Sequence, residues 1–310
     1  MRDSAEQPSH PSIEQVAAMI SVLGDDRGPL QKSARDQLLM WGGHAVEQLR
    51  EGAEADHMPT RARCRSLLRS IEISETVDRL GALRLDGVGV SSAPPLLEGA
   101  LLATRVVRGF VPAASALAPL LRREAASLKR ACSGRSLSTC ARALVERLHI
   151  KLGLTGCDAE LLDVGHGQLV AELFGAHDLH RGIVDHLSID RVLERREGAP
   201  VALCLIYLLV ARWAGLSASG VALPGHFLIR LHGPRSLLID PFHGGRVVTK
   251  SDCVRYLRRN GFERPSEHLV DLNDREVLGV YLECLHASVR RADKETRDAL
   301  QRSLQLLRVS

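Results

Sequence analysis

Two side chains have the type and spacing for acyl-group chemistry: His226 in Pro224-Gly225-His226-Phe227, and Asp240 in Ile239-Asp240-Pro241-Phe242. A His and an Asp on neighbouring strands form the base and the orienting group of a nucleophilic triad. The carboxylate sets which ring nitrogen carries the proton. The third member, a Cys or Ser at the start of the helix after Gly198, is missing, and Pro200 and Val201 stand there instead. Whether the protein does chemistry turns on that absence.

The elements that must position this pair are legible in the residue pattern. Period-2 alternation marks strands at 220–223, 226–231, 236–240 and 246–249. The turn His232-Gly233-Pro234-Arg235 makes a hairpin of the second and third. A three-residue loop from His232 to Pro234 sets position 226 opposite 240, with Cβ atoms about 5 Å apart. A two-residue loop at Gly233-Pro234 sets 227 opposite 240 instead and turns the imidazole to the other face. In the first register His226, Leu228 and Arg230 share one face, and Phe227, Ile229 and Leu231 the other. Two plainer readings stand beside this one. A His at a strand start can simply hydrogen-bond a loop, and Asp-Pro is a common turn opener. Upstream, Ser188 suits a helix N-cap before Ile189, Val192 and Leu193. Pro200 suits the first position of the next helix, which runs to about Ala214, and Gly215 suits the residue after its end. The 13 uncharged residues from Ala199 to Ala211 predict burial on most faces.

In order and spacing, these residues resemble the transglutaminase-like superfamily, whose core is papain-like, and more closely its bacterial SirB branch. The resemblance rests on Val192-Leu193-Glu194-Arg195-Arg196-Glu197-Gly198-Ala199-Pro200-Val201 and on the helix through Tyr207 to Leu216. It continues in Gly220-Val221, Pro224-Gly225-His226-Phe227-Leu228 and Ile239-Asp240-Pro241-Phe242-His243-Gly244-Gly245. Weaker similarity covers roughly two thirds of the chain. The resemblance implies an α+β fold with a small antiparallel sheet packed on a buried helix. It maps the family's His onto His226 and its Asp onto Asp240. In catalytic members a Cys begins the buried helix, where the helix dipole and the His lower its pKa. Counting back from Gly215 places that Cys at about Pro200. The SirB branch is similar in its Gly-x-Pro turn but usually has a Ser near position 202, where this chain has Ala202. Cys204 lies one turn beyond Pro200, about 6 Å along the axis, and a Cys in an apolar helix is usually an inert core residue. The expectation is a triad remnant, His226 and Asp240, with Cys204 a poor candidate for the nucleophile.

Other constellations are weaker. His226, Asp240 and His243 have the makings of a two-His, one-carboxylate metal site, though His243 falls in a Gly-rich turn that suits a solvated ring. His177, Asp178 and His180 have ligand-like spacing in a polar loop. Gly165-His166-Gly167 lacks the strand-loop-helix context of a phosphate loop. Ser188 is a better cap than nucleophile. Arg61, Arg63, Arg65 and Arg69 read as a solvated helix surface, or else as a docking site for an acidic partner.

Composition bounds the rest. The chain has 310 residues, 45% of them apolar, enough for a buried core in one large or two smaller domains. A net charge of +4 and 3% aromatic residues argue against a nucleic-acid stacking surface. The seven cysteines contain no CxxC pair, which suits reduced thiols in a cytoplasm rather than a disulfide or zinc framework. No signal peptide is evident at the N-terminus, and no apolar run reaches membrane-spanning length. Residues 1–75 read as a helical module with loose likeness to HEAT repeats, 76–95 as a linker, 96–262 as the transglutaminase-like domain and 263–310 as a C-terminal helical pair. The overall expectation is a non-catalytic regulatory or scaffold protein binding a protein or peptide partner, without cofactor, metal, nucleic acid or membrane. The alternative is a cysteine-protease-like hydrolase or acyl transferase using His226 and Asp240 with an unconventional nucleophile. The sequence leaves the oligomeric state open.

Overall fold

The computed structural model describes residues 10–25, 28–85, 95–157, 179–289 and 293–309. The chain divides into two compact units, one through Thr76 and one from Val77 onward. The first contains α1 (Ile13–Leu23), α2 (Gly28–Trp41), a 3-10 turn (Gly42–Ala45), α3 (Val46–Gly52) and most of α4 (Met58–Gly81). Ser12 caps α1 reciprocally with Gln15. Val16, Leu23, Leu38, Leu49, Cys64 and Leu67 form this unit's core. Three of the α4 arginines do more than face solvent. Arg63 donates to the carbonyls of Leu23 (2.7 Å) and Asp25 (3.0 Å). Arg61 and Arg65 donate to those of Ala55 and Ala53. These are the orphan acceptors at the ends of α1 and α3, which a helix cannot satisfy internally. α4 stays helical to Gly81, where turn-forming composition suggested a linker from residue 76.

The second unit carries α5 (Pro95–Arg108), α6 (Ala114–Cys132), α7 (Leu137–Val145) and a π-helical turn (Glu146–Lys151). After these come β1 (Thr155–Gly156), α8 (Leu179–Leu187), α9 (Ile189–Arg195), β2 (Glu197–Gly198) and α10 (Pro200–Trp213). The sheet follows: β3 (Ala218–Leu223), β4 (His226–Leu231), β5 (Leu237–Asp240) and β6 (Arg246–Val248), antiparallel and in sequence order. α11 (Lys250–Arg259), α12 (Asp274–Ser288) and α13 (Lys294–Val309) complete an α+β unit.

α10 behaves as its composition dictates. Every residue from Val201 to Ala211 is buried, Pro200 opens it, and Gly215 follows it at φ 88°. It packs on α6, β3 and β4. The opposite face of the sheet is sealed by α11, through Cys253 and Leu257 against Val221, Leu228 and Leu238. Buried polar links tie the helices together. Arg108 grips Asp190 through both carboxylate oxygens at 2.9 Å. Arg212 reaches from the end of α10 to the Ala218 carbonyl and to Asp274.

Two buried tyrosines make opposite predictions. The Tyr281 hydroxyl donates to the Leu187 carbonyl and meets Thr104 Oγ1, both at 2.8 Å. The Tyr207 hydroxyl is fully buried without a hydrogen-bond partner among the described residues. Tyr281→Phe is expected to cost about 1–2 kcal/mol, because it strands a buried carbonyl. Tyr207→Phe is expected to be neutral or to stabilise by up to about 1 kcal/mol, because it removes an unpaired buried hydroxyl. Urea unfolding midpoints of the two variants check both signs.

Candidate functional site

The hairpin that positions the dyad has a longer loop than the spacing suggested. Leu231 pairs with Leu237 and Ile229 with Ile239, so the loop runs from 232 to 236. Position 226 is therefore not directly opposite 240. Continuing the register sets Asp240 across from Leu228, one diagonal step from His226. Because the shift is by two residues, both side chains keep the same face, and the diagonal is within reach of an imidazole. His226 Nε2 lies 2.9 Å from Asp240 Oδ1.

Asp240 is only 1% exposed and is held from every side. The turn after it doubles back, with the Gly245 N–H donating to the Asp240 carbonyl at 2.9 Å. Gly244 and Gly245 adopt φ 73° and 70°, a region that L side chains rarely adopt. A Cβ on Gly245 would also meet the Val145 methyls at 2.7 Å. This turn brings His243 Nδ1 to 2.8 Å from Oδ2 and its backbone N–H to 3.2 Å from Oδ1. It also pairs Asp240 with Arg246, whose Nε donates to Oδ2 at 3.2 Å. Burial pushes the Asp240 carboxyl up, but the His226 hydrogen bond and charge, with the charge and backbone N–H of His243, more than offset it. The carboxyl is held well below the usual carboxylate range. With Asp240 ionised, His226 donates from Nε2 and a neutral ring keeps its lone pair on Nδ1.

Aromatic edges complete the setting. Phe242 meets the His226 ring edge-on at 6.0 Å, and His243 lies 5.2 Å from it. β1 seats Phe242, because a Cβ at Gly156 would come within 2.6 Å of the Phe242 carbonyl. β1 is itself held by parallel pairing to β2, the two residues that lead into α10. Neither short strand was legible in the sequence.

α10 begins beside this site without a nucleophile. Ala199 is its N-cap and offers no side-chain hydrogen bond. Cys204 is buried, and its Sγ–H lies 3.0 Å from the Phe227 carbonyl, to which it donates. It thus meets β4 through a main-chain acceptor rather than through the His226 ring. Burial pushes the Cys204 thiol well above its ordinary pKa, and the Asp240 charge adds to the shift.

The ligand atoms of His226, Asp240 and His243 lie within 4.8 Å of one another, as a metal site would require. The donor set fits a hydrogen-bonded carboxylate better. Each oxygen already accepts two hydrogen bonds, and one donor is the Arg246 guanidinium. A fixed positive group at that distance opposes a divalent cation.

Ser188 stands at the N-cap position of α9, but its hydroxyl turns back to the Val184 carbonyl at 2.6 Å. His166, His177, Asp178 and the Gly165–Gly167 stretch lie outside the described residues, as does the side chain of His180. Sequence reasoning missed the part played by Arg246, although its place six residues after Asp240, across a Pro-Phe-His-Gly-Gly turn, marks a tight hairpin. It also missed a second polar cluster. The Ser219 hydroxyl donates to Asp271 Oδ1 at 2.7 Å and meets His232 Nε2 at 2.8 Å, and Arg230 grips Asp271. The residue types suggest a triad, but the order is wrong. The carboxylate takes the hydroxyl proton and lies 3.9 Å from the same ring nitrogen, so nothing orients the imidazole as a base.

A buried helix packed on an antiparallel sheet, with a His–carboxylate pair at neighbouring strand ends, defines an α+β domain. Residues 130–283 match the transglutaminase-like superfamily, so the chain carries a domain of that superfamily. It is 36% identical over 118 residues to a UPF0162 protein of Xylella fastidiosa, covering 36% of this chain and 42% of that one. A UPF0162 protein of Vibrio cholerae is 29% identical over 115 residues, covering 35% of this chain and 42% of that one. F-box only protein 21 of Mus musculus is 35% identical over 77 residues, covering 22% of this chain and 12% of that protein. The chain thus covers less than half the length of these curated relatives. No solved structure matches. No helix among the described residues is long and apolar enough to cross a membrane.

Proposed function

We propose that the transglutaminase-like domain is non-catalytic, of the SirB type, and serves as a regulatory or scaffold module. It binds a peptide or protein partner at the surface beside His226 and Asp240, in a reducing cytoplasm that suits its seven free thiols. The observation that carries this reading is the first turn of α10. Pro200, Val201 and Ala202 supply no thiol or hydroxyl there, and the helix's one cysteine is buried with its thiol donating to a backbone carbonyl. A thiol in that setting is a poor nucleophile because it stays protonated. The dyad, in turn, presents a ring edge, a half-exposed His243 and Arg246, which suit polar recognition. The helices of the first unit support a HEAT-like reading of that module.

One observation favours a second reading, that of a hydrolase or acyl transferase. The His226–Asp240 bond is intact and leaves Nδ1 for a base role.

Alkylation by iodoacetamide near neutral pH, mapped by mass spectrometry, separates the two. Cys204 is expected to react at least about 100-fold more slowly than free cysteine, because its thiolate fraction is negligible. A Cys204 that reacts ahead of the other six thiols overturns the non-catalytic reading. So does ester or amide hydrolysis by the wild-type chain that His226→Ala abolishes.

A further inference from the structure

We propose that the outer face of α11 is a docking surface for an acidic peptide segment of a protein partner. The helix reads Lys-Ser-Asp-Cys-Val-Arg-Tyr-Leu-Arg-Arg, four cations against one acid, in a chain of 310 residues whose total charge is only +4. Cys253 and Leu257 turn inward to the sheet. Lys250, Ser251, Val254, Arg255, Arg258 and Arg259 line an open groove of about 700 Å³ on the outer side. Asp252 is spent in a reciprocal cap with Thr249 and touches Arg255 only at 3.5 Å. Among the described residues, Lys250, Arg258 and Arg259 make no ion pair.

Solvation alone is a poor account of this face. Arg258 and Arg259 benefit from the negative end of the helix dipole, but Lys250 sits at the positive end, where a cation is disfavoured. Arg255 and Arg259 are also like charges at i, i+4, a destabilising spacing. An anionic partner relieves both penalties. The spacing selects a peptide over a point anion, since the cations spread over ten residues, about 15 Å of helix, the span of four to five extended residues. Val254 packs partly on the sheet's core and leaves an apolar edge in the groove between them. The fitting segment carries carboxylates on both sides of one aliphatic residue. The lining of this groove includes neither His226 nor Asp240, and the proposal stands without that reading.

Fluorescence anisotropy of a labelled Glu-Glu-Leu-Glu-Glu peptide on the full chain tests the proposal. Arg258→Glu/Arg259→Glu is expected to weaken binding at least tenfold, and Val254→Ser about threefold. The neutral pair Arg258→Ser/Arg259→Ser serves if charge reversal disturbs folding. The control pair Lys129→Glu/Arg130→Glu on α6 is expected to leave affinity unchanged. The proposal is overturned by absent peptide binding, by equal loss in the α6 control, or by tighter binding of single-stranded DNA of the same charge. Loss in His226→Ala with intact binding in the α11 variants also overturns it, while leaving the dyad as the peptide site.

Discussion

Asp240→Ala is expected to lower the free energy of unfolding by about 3–5 kcal/mol, the range for breaking a buried ion pair from one side. For a unit of this size that corresponds to a fall in Tm of roughly 10 °C. The carboxylate is 1% exposed and receives His226, His243 through both ring and backbone, and Arg246. Its removal strands those donors around an emptied space. Asp240→Asn keeps the size and one acceptor but loses the charge, so about 1–2 kcal/mol is expected. The same arrangement sets a pH dependence. The unfolded carboxyl titrates near 4, and the folded one lies below it. Asp240 therefore contributes stability that is complete above about pH 5 and is lost as pH falls through and below 4. Urea midpoints measured from pH 6 down to pH 3 should fall more steeply in wild type than in Asp240→Asn. Parallel curves would show that the carboxylate is not the anchor described here.

Pro200→Cys is expected to create a thiol that iodoacetamide modifies at least about 100-fold faster than Cys204, because a helix N-terminus lowers a thiol's pKa whereas an apolar interior raises it. The position is half-buried rather than sealed, and its turn lacks a side-chain cap. Replacing a first-turn proline should cost under about 1 kcal/mol, since its missing N–H had no helical partner to lose. Cys204 lies on the same face four residues deeper, so the pair compares two depths on one helix. If His226 serves this turn as the superfamily resemblance implies, adding His226→Ala should slow the new thiol several-fold. An introduced thiol that reacts no faster than Cys204 would mean that the scaffold no longer supports a thiolate at this turn.

Much of this site could be read without coordinates. Alternation from His226 to Leu231 left two registers open, and only the one with a three-residue loop put His226 and Asp240 on one face; the structure has that parity, with a loop two residues longer. Likewise Pro200, the uncharged run and Gly215 delimited α10 to within a residue, since capping and burial are written in local composition.

What the sequence by itself determined is therefore periodic and local: the longer helices and the strands of the main sheet, the alternation of side chains along each strand, and that no thiol opens α10. Tertiary structure alone decided what those residues meet. It placed His243 and Arg246 on Asp240, aimed the Cys204 thiol at the Phe227 carbonyl as a hydrogen-bond donor, and turned the α4 arginines onto the carbonyl ends of α1 and α3. The reason is physical. Periodicity follows from backbone geometry and repeats every two or 3.6 residues, whereas a hydrogen bond between side chains depends on the path of the intervening chain, which no short window of sequence contains.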